Sequence, residues 1–126
     1  MYVDGSGMQA YPVPVAMSEA EVEAAVAEYV ESARLAVGSA GFDGVELHRA
    51  NGYLIDQFLS PVTNQRTDQW GKERNRFAVQ VAKRTAVAIG AERLGIRLSP
   101  YGVFNGMAAF AGMNEQYVAL AAALSR

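Results

Sequence analysis

His48, Asn51 and Tyr53 sit close together in the run GVELHRANGY at residues 44–53, and their types could do chemistry as a set. An imidazole and a carboxamide can both donate hydrogen bonds to one substrate oxygen, and donors fixed where negative charge develops stabilise a transition state more than a ground state. A phenol two residues further on can deliver a proton. An unperturbed phenol pKa of about 10 leaves the group protonated at neutral pH, as a general acid must be. Arg97, in GIRLSP at residues 95–100, adds a flat, permanently charged guanidinium. Each type also has an ordinary structural use: a satisfied His/Asn pair, a packed tyrosine, a salt-bridged arginine.

Such residues need rigid supports. Residues 44–48 read as a short strand, so His48 ends it and Asn51 and Tyr53 lie in the loop beyond, where α/β folds carry their chemistry. A second strand is predicted over 94–99, closed by Pro100. The first helix has a clear start: Ser18 is an N-cap with Glu21 as its capping-box partner, and Met17 and Val22 are spaced as a hydrophobic staple. Val22, Val26, Tyr29, Val30, Ala33 and Val37 form its apolar stripe, and Gly38 and Gly41 are stop signals. A second helix is predicted over about 73–89, with Phe77, Val81, Thr85, Ala88 and Ile89 inward and Gly90 ending it. Asn114 reads as the N-cap of a last helix, and residues 1–16, with Gly5, Gly7, Pro12 and Pro14, as an extended lead-in.

The order is therefore helix, strand, loop, helix, strand, loop, helix. Two strands joined through a helix should be parallel with a right-handed crossover. The link over 49–72 is long, as functional loops often are. Asn64, Arg66 and Asp68 should organise it by local hydrogen bonds, with Phe58 and Trp70 as its core anchors.

Strand alternation places Gly44, Glu46 and His48 on one side and Val45 and Leu47 on the other, and in the second strand groups Gly95, Arg97 and Ser99 against Leu94, Ile96 and Leu98. If the first set of each strand faces the same side, His48 and Arg97 converge on one face. Glu46 shares it, and a buried carboxylate needs a partner, for which Arg97 is the candidate.

Composition narrows the alternatives. The 126 residues include 11 Lys or Arg against 13 Asp or Glu, a net charge of −2 with the basic residues dispersed, which is no nucleic-acid surface. The absence of cysteine removes disulfides and thiolate ligands and fits a reducing compartment. Nothing reads as a signal peptide or a membrane span, so the cytoplasm is the default expectation. Glu46, His48 and Asp56 lack a metal-ligand spacing. Ser99 lacks nucleophile-elbow glycines, and Gly5-Ser6-Gly7 is too short for a phosphate fingerprint.

The motifs NGYLIDQFLSP (51–61), NQRTD (64–68), GIRLSPYGVFNGM (95–107) and MQAYPVP (8–14) resemble, in order and spacing, the middle of Old Yellow Enzymes, the FMN-dependent ene-reductases. The resemblance covers nearly the whole chain. It implies an α/β fold that is part of a TIM (β/α)8 barrel, about two parallel strands with flanking helices, so that residues 1–126 are one incomplete segment of an FMN-binding barrel domain; a complete barrel takes about 250 residues. It further implies ping-pong reduction of activated alkenes, with FMN and NAD(P)H as cofactors and a small enone-type substrate as partner. His48 and Asn51 would bind the substrate oxygen and Tyr53 would protonate the α carbon. Arg97 and His48 would contact the flavin, with Arg97 near its N1 and C2 carbonyl.

Two positions depart from the family pattern. Arg49 follows His48 where a small residue is usual, and residues 71–77 are about three short of the family's GGSIENRxRF segment, although Arg74 and Arg76 are retained. Two other readings stay open: a non-catalytic α/β fragment pairing with another chain, and a related flavin barrel with another substrate. Unpaired strand edges should promote self-association.

Overall fold

The computed structural model describes residues 2–10 and 12–125. A short antiparallel hairpin, β1 (Tyr2–Asp4) and β2 (Gly7–Gln9), occupies the lead-in expected to be merely extended. Then come α1 (Glu19–Gly38), β3 (Val45–Arg49), α2 (Leu54–Leu59), α3 (Gln69–Lys72), α4 (Arg76–Ile89), β4 (Leu94–Leu98) and α5 (Met113–Leu124). Strands β3 and β4 pair in parallel, Val45 opposite Leu94 through Arg49 opposite Leu98. The class is α/β, two parallel strands with flanking helices.

The capping box starts α1 as expected: Glu21 N–H donates to Ser18 Oγ at 3.3 Å, and Ser18 N–H donates to the Glu21 carboxylate at 2.7 Å. That backbone donor, helped by the Ser18 hydroxyl, holds the Glu21 carboxyl below its usual range. Helix α1 buries Val22, Ala25, Val26 and Ala33. Val22, Ala25 and Val26 join Leu47 of β3, Ile55, Phe58 and Leu59 of α2, Trp70 of α3, Phe77, Ala78 and Val81 of α4 and Leu120 of α5 in one cluster. Phe77 lies at its centre, stacked on Phe58 with centroids 4.2 Å apart and edge-on to Trp70 and Tyr29.

Several expectations need correction. The link over 49–72 holds α2 and α3, because its apolar residues Ile55, Phe58, Leu59 and Trp70 are buried and ordering their backbone as helix satisfies its polar groups. Helix α4 starts at Arg76, three residues later than expected, and Ala78 and Ala82 are buried while Ala88 is exposed; the true stripe follows Phe77 toward α1. Gly90, at φ 92°, ends it as expected. Helix α5 is capped by Gly112 in the left-handed region, whereas Asn114 lies inside the first turn and accepts a hydrogen bond from the Tyr101 hydroxyl.

In the loop after α2, Asn64 Nδ2 donates to the carbonyls of Phe58 (2.6 Å) and Trp70 (2.9 Å). Arg66 pairs with Asp68 and also donates to the Met17 carbonyl, tying this loop to the start of α1. Asp68 in turn caps α3 through the N–H groups of Trp70 and Gly71. The loop is organised by the residues expected to do so.

Candidate active site

The pleat of β3 and β4 sorts the side chains into two faces. Leu47 and Arg49 of β3 are buried against the helices, and Leu94, Ile96 and Leu98 of β4 pack on the same core. Glu46, His48, Gly95 and Arg97 are exposed on the opposite face. His48 and Arg97 are direct register partners across the ladder.

Arg97 Nε donates to Glu46 Oε1 at 2.8 Å. The pairing was expected but the burial was not: the two side chains keep 59% and 52% of their exposure, because two strands alone do not enclose this face. Glu46 occupies Nε only, and the two terminal nitrogens of Arg97 make no hydrogen bond among the described residues. The guanidinium is thus oriented at one side and available at the other.

Tyr53 is the N-cap of α2, in extended backbone at φ −80° and ψ 175°. That geometry turns its ring edge-on to His48, with centroids 5.0 Å apart and planes at 70°, and leaves the side chain 48% exposed. Asn51 precedes it with φ 59°, a left-handed conformation that asparagine tolerates better than most residues. Its carboxamide makes no hydrogen bond among the described residues.

The Asn51-Gly52 backbone is held on every polar group. Asn51 N–H donates to Ser99 Oγ at 2.9 Å, and its carbonyl accepts from Asn105 Nδ2 at 2.9 Å. Gly52 N–H donates to Asp56 Oδ2 at 3.0 Å, and its carbonyl accepts from Gln57 Nε2 at 2.7 Å. Gly52 itself is obligatory: φ is 72°, and a β-carbon would come within 2.9 Å of Asn105 Cβ and Met107 Cγ. Four side chains from the loop after β4 and from α2 therefore fix the turn that carries Asn51 and Tyr53.

Ser99, Asn105, Asp56 and Gln57 were not recognised in the sequence as site-supporting residues. Ser99 shares the parity of Arg97, and Asp56 and Gln57 lie one helical turn beyond Gly52; those spacings were the available signals. Arg49, the departure from the family pattern next to His48, points to the other side of the sheet and is fully buried. Two clefts of about 360 Å³ lie elsewhere, one along residues 72–80 with Gln116 and one between residues 14–17 and 54–66. The His48 face is open surface instead. Among the described residues no three His, Cys, Asp or Glu side chains gather as a metal site, and no helix is long and apolar enough to cross a membrane.

Two parallel strands flanked by helices, with imidazole, phenol and guanidinium on one face near the strand C-termini, make this a segment of an α/β fold. The sequence pattern of the NADH:flavin oxidoreductase / NADH oxidase family matches residues 3–126, and the chain belongs to that family. Its fold matches the old yellow enzyme homologue from Zymomonas mobilis at TM-score 0.88 and 37% identity, over 96% of this chain and 34% of that one. Old Yellow Enzyme from Pichia sp. AKU4542 matches at TM-score 0.80 and 37% identity, over 84% of this chain and 29% of that one. Among curated relatives, chanoclavine-I aldehyde reductase fgaOx3 of Penicillium roqueforti (strain FM164) is 54% identical over 99 residues, 76% of this chain and 27% of the relative. "Probable inactive dehydrogenase easA" of Claviceps fusiformis is 44% identical over 84% of this chain and 28% of its own length. The NADP-dependent oxidoreductase lnbE of Aspergillus flavus is 47% identical over 90% of this chain and 30% of its own. The chain spans about a third or less of the proteins it matches.

Proposed function

We propose that this chain carries the oxygen-binding and proton-donating part of the active site of an FMN-dependent, NAD(P)H-linked reductase of activated carbon–carbon double bonds. One observation supports the reading above the rest: His48, Tyr53 and Arg97 share one open face, and the backbone of Asn51, three residues after His48, is clamped in place. The residues suit a flavin. Arg97 offers two guanidinium nitrogens without a hydrogen bond among the described residues, Glu46 is engaged by Arg97, and Gly95, two residues before Arg97, leaves the sheet surface flat there. His48 and Arg97 are the side chains that would hold it, a fixed cation against a planar group that becomes anionic on reduction.

When bound, FMN supplies the hydride that adds to the β carbon of the alkene. His48 and Asn51 hold the carbonyl oxygen and stabilise the negative charge that moves onto it as the double bond opens. The Tyr53 phenol transfers its proton to the α carbon, forming the second C–H bond and leaving a phenolate that regains a proton from solvent. NAD(P)H as reductant is in keeping with a relative named NADP-dependent.

The test is a chimera in which this chain replaces the matched third of the Zymomonas mobilis homologue. Enone-dependent NADPH oxidation with product reduced at the double bond is the expected result. A chimera that binds FMN stoichiometrically, is reduced by NADPH and leaves every enone unchanged overturns the assignment. A second reading, pairing with another chain, is favoured by β3 and β4 having only each other as ladder partners among the described residues. Light scattering of the 126-residue chain against concentration decides whether those edges drive self-association.

A further inference from the structure

We propose that Arg49 is a positioning residue that sets the Asn51–Tyr53 turn by acting through Asp56, the functional weight of that turn resting on the reading above. Arg49 follows His48 on β3, so the pleat that sends His48 to the open face drives Arg49 into the helix layer. Its side chain has no exposure, and that of Asp56 has 6%. Arg49 Nη2 stands 3.9 Å from Asp56 Oδ1, and its guanidinium lies over the Tyr117 ring of α5, 4.3 Å from the centroid. None of its side-chain nitrogens makes a hydrogen bond among the described residues. The charge is therefore balanced by Asp56 and the aromatic face alone, in surroundings that screen little.

The other oxygen of Asp56 does local work, since Oδ2 accepts the Gly52 N–H at 3.0 Å. One carboxylate thus links the buried cation to the backbone between Asn51 and Tyr53. On the side of Asp56 that faces Ser99 and Tyr117 the remaining space is about 10 Å³, room for one water at most. This pair is unlike Arg97 with Glu46, or Arg84 with Glu23, which are substantially exposed. Deleting one member of a buried pair leaves the other charge uncompensated, whereas neutralising both is tolerated. Arg49 and Asp56 should behave as one unit whose output is the Gly52 hydrogen bond.

The experiment uses the full 126-residue chain, ¹⁵N-labelled, and measures amide exchange at Gly52 against Val81 in the α4 core. Arg49→Met should lower Gly52 protection relative to Val81 by about tenfold or more, as an anchoring bond to a buried group is lost. Adding Asp56→Asn should restore it to within about threefold, because asparagine keeps an oxygen for the Gly52 N–H and carries no charge. If Arg49→Met fails to fold while the double variant folds, the same coupling has been seen as stability. Unchanged Gly52 protection in Arg49→Met, or a double variant no better than the single one, overturns the proposal. In the chimera, alkene reduction should slow and recover in parallel while flavin reduction by NADPH stays within about twofold. A Gly52 response without an alkene response leaves the positioning standing and removes the catalytic assignment of the turn.

Discussion

The Tyr53 ring meets the His48 imidazole edge-on, with centroids 5.0 Å apart, so the candidate proton donor and the candidate oxygen-binding group are held as one assembly. In a complete barrel carrying this chain, Tyr53→Phe keeps the ring contact and deletes only the hydroxyl. Alkene reduction should slow by about 10²- to 10⁴-fold, the usual contribution of a general acid. Reduction of the flavin by NAD(P)H should change by less than about twofold, since the proton is used only in the second half-reaction. Stopped-flow measurement of both half-reactions decides; equal losses contradict the role.

Glu46 and Arg97 are 2.8 Å apart but both about half exposed. Solvent screens such a pair, and its net worth is about 0–1 kcal/mol. Glu46→Gln should therefore shift the unfolding free energy of the chain by less than about 1 kcal/mol in urea titration. A loss well beyond that would mean the pair is far less solvated than its exposure indicates.

Phe77 is fully buried, stacked on Phe58 and edge-on to Trp70. Phe77→Ala removes the centre of the core and should cost about 3–5 kcal/mol. Trp70, the only tryptophan of the chain, reports the change directly by fluorescence. A loss under about 1 kcal/mol would place the centre of the core elsewhere.

Asp68 accepts hydrogen bonds from Arg66, with Nη2 at 2.5 Å, and from the N–H groups of Trp70 and Gly71. The Arg66 bond above all, with the backbone donors, holds its carboxyl below the usual range. A carboxylate whose folded pKa is depressed stabilises the fold above its unfolded value of about 3.9, and that stability is lost as pH falls through the folded value. The unfolding free energy should therefore drop below about pH 4. Asp68→Asn, which keeps an oxygen for capping α3, should weaken this dependence while lowering stability at neutral pH. Identical pH curves for both proteins would contradict the assignment.

What was legible in the sequence is what depends on local pattern. Alternation grouped Glu46 with His48 and, with the family resemblance, put Arg97 on the same face and made it the candidate partner of Glu46; the Ser18 capping box and the Gly90 stop are equally local. The positions of α2 and α3 were not legible, because six- and four-residue helices have too few turns to show a period and owe their stability to burial of Phe58 and Trp70. Nor was the clamp on Asn51-Gly52, since Ser99 and Asn105 reach it from the far side of a strand crossover, a contact no spacing reveals. Arg49 shows the same limit: the sequence marks it as a departure next to His48, but only the fold sets its side of the sheet and supplies Asp56 and Tyr117 around it.

The 126-residue chain by itself should not hold FMN tightly or sustain turnover. Submicromolar affinity requires about −8 kcal/mol or better, and the side chains assigned to the cofactor here are His48 and Arg97, both exposed on an open face. Contacts between charges in such solvated positions contribute about 0–1 kcal/mol each, and ligand sites of useful affinity enclose most of the ligand surface. A sheet of two strands cannot enclose a flavin ring. Association of chains through the outer edges of β3 and β4 would lengthen the sheet but would only repeat the same two side chains along it. Equilibrium titration with FMN, followed by NADPH oxidation in the presence of an enone, tests this. Binding weaker than about 1 μM without steady turnover is the expected result, whereas stoichiometric submicromolar binding with turnover would show that this segment builds a complete flavin site from its own residues.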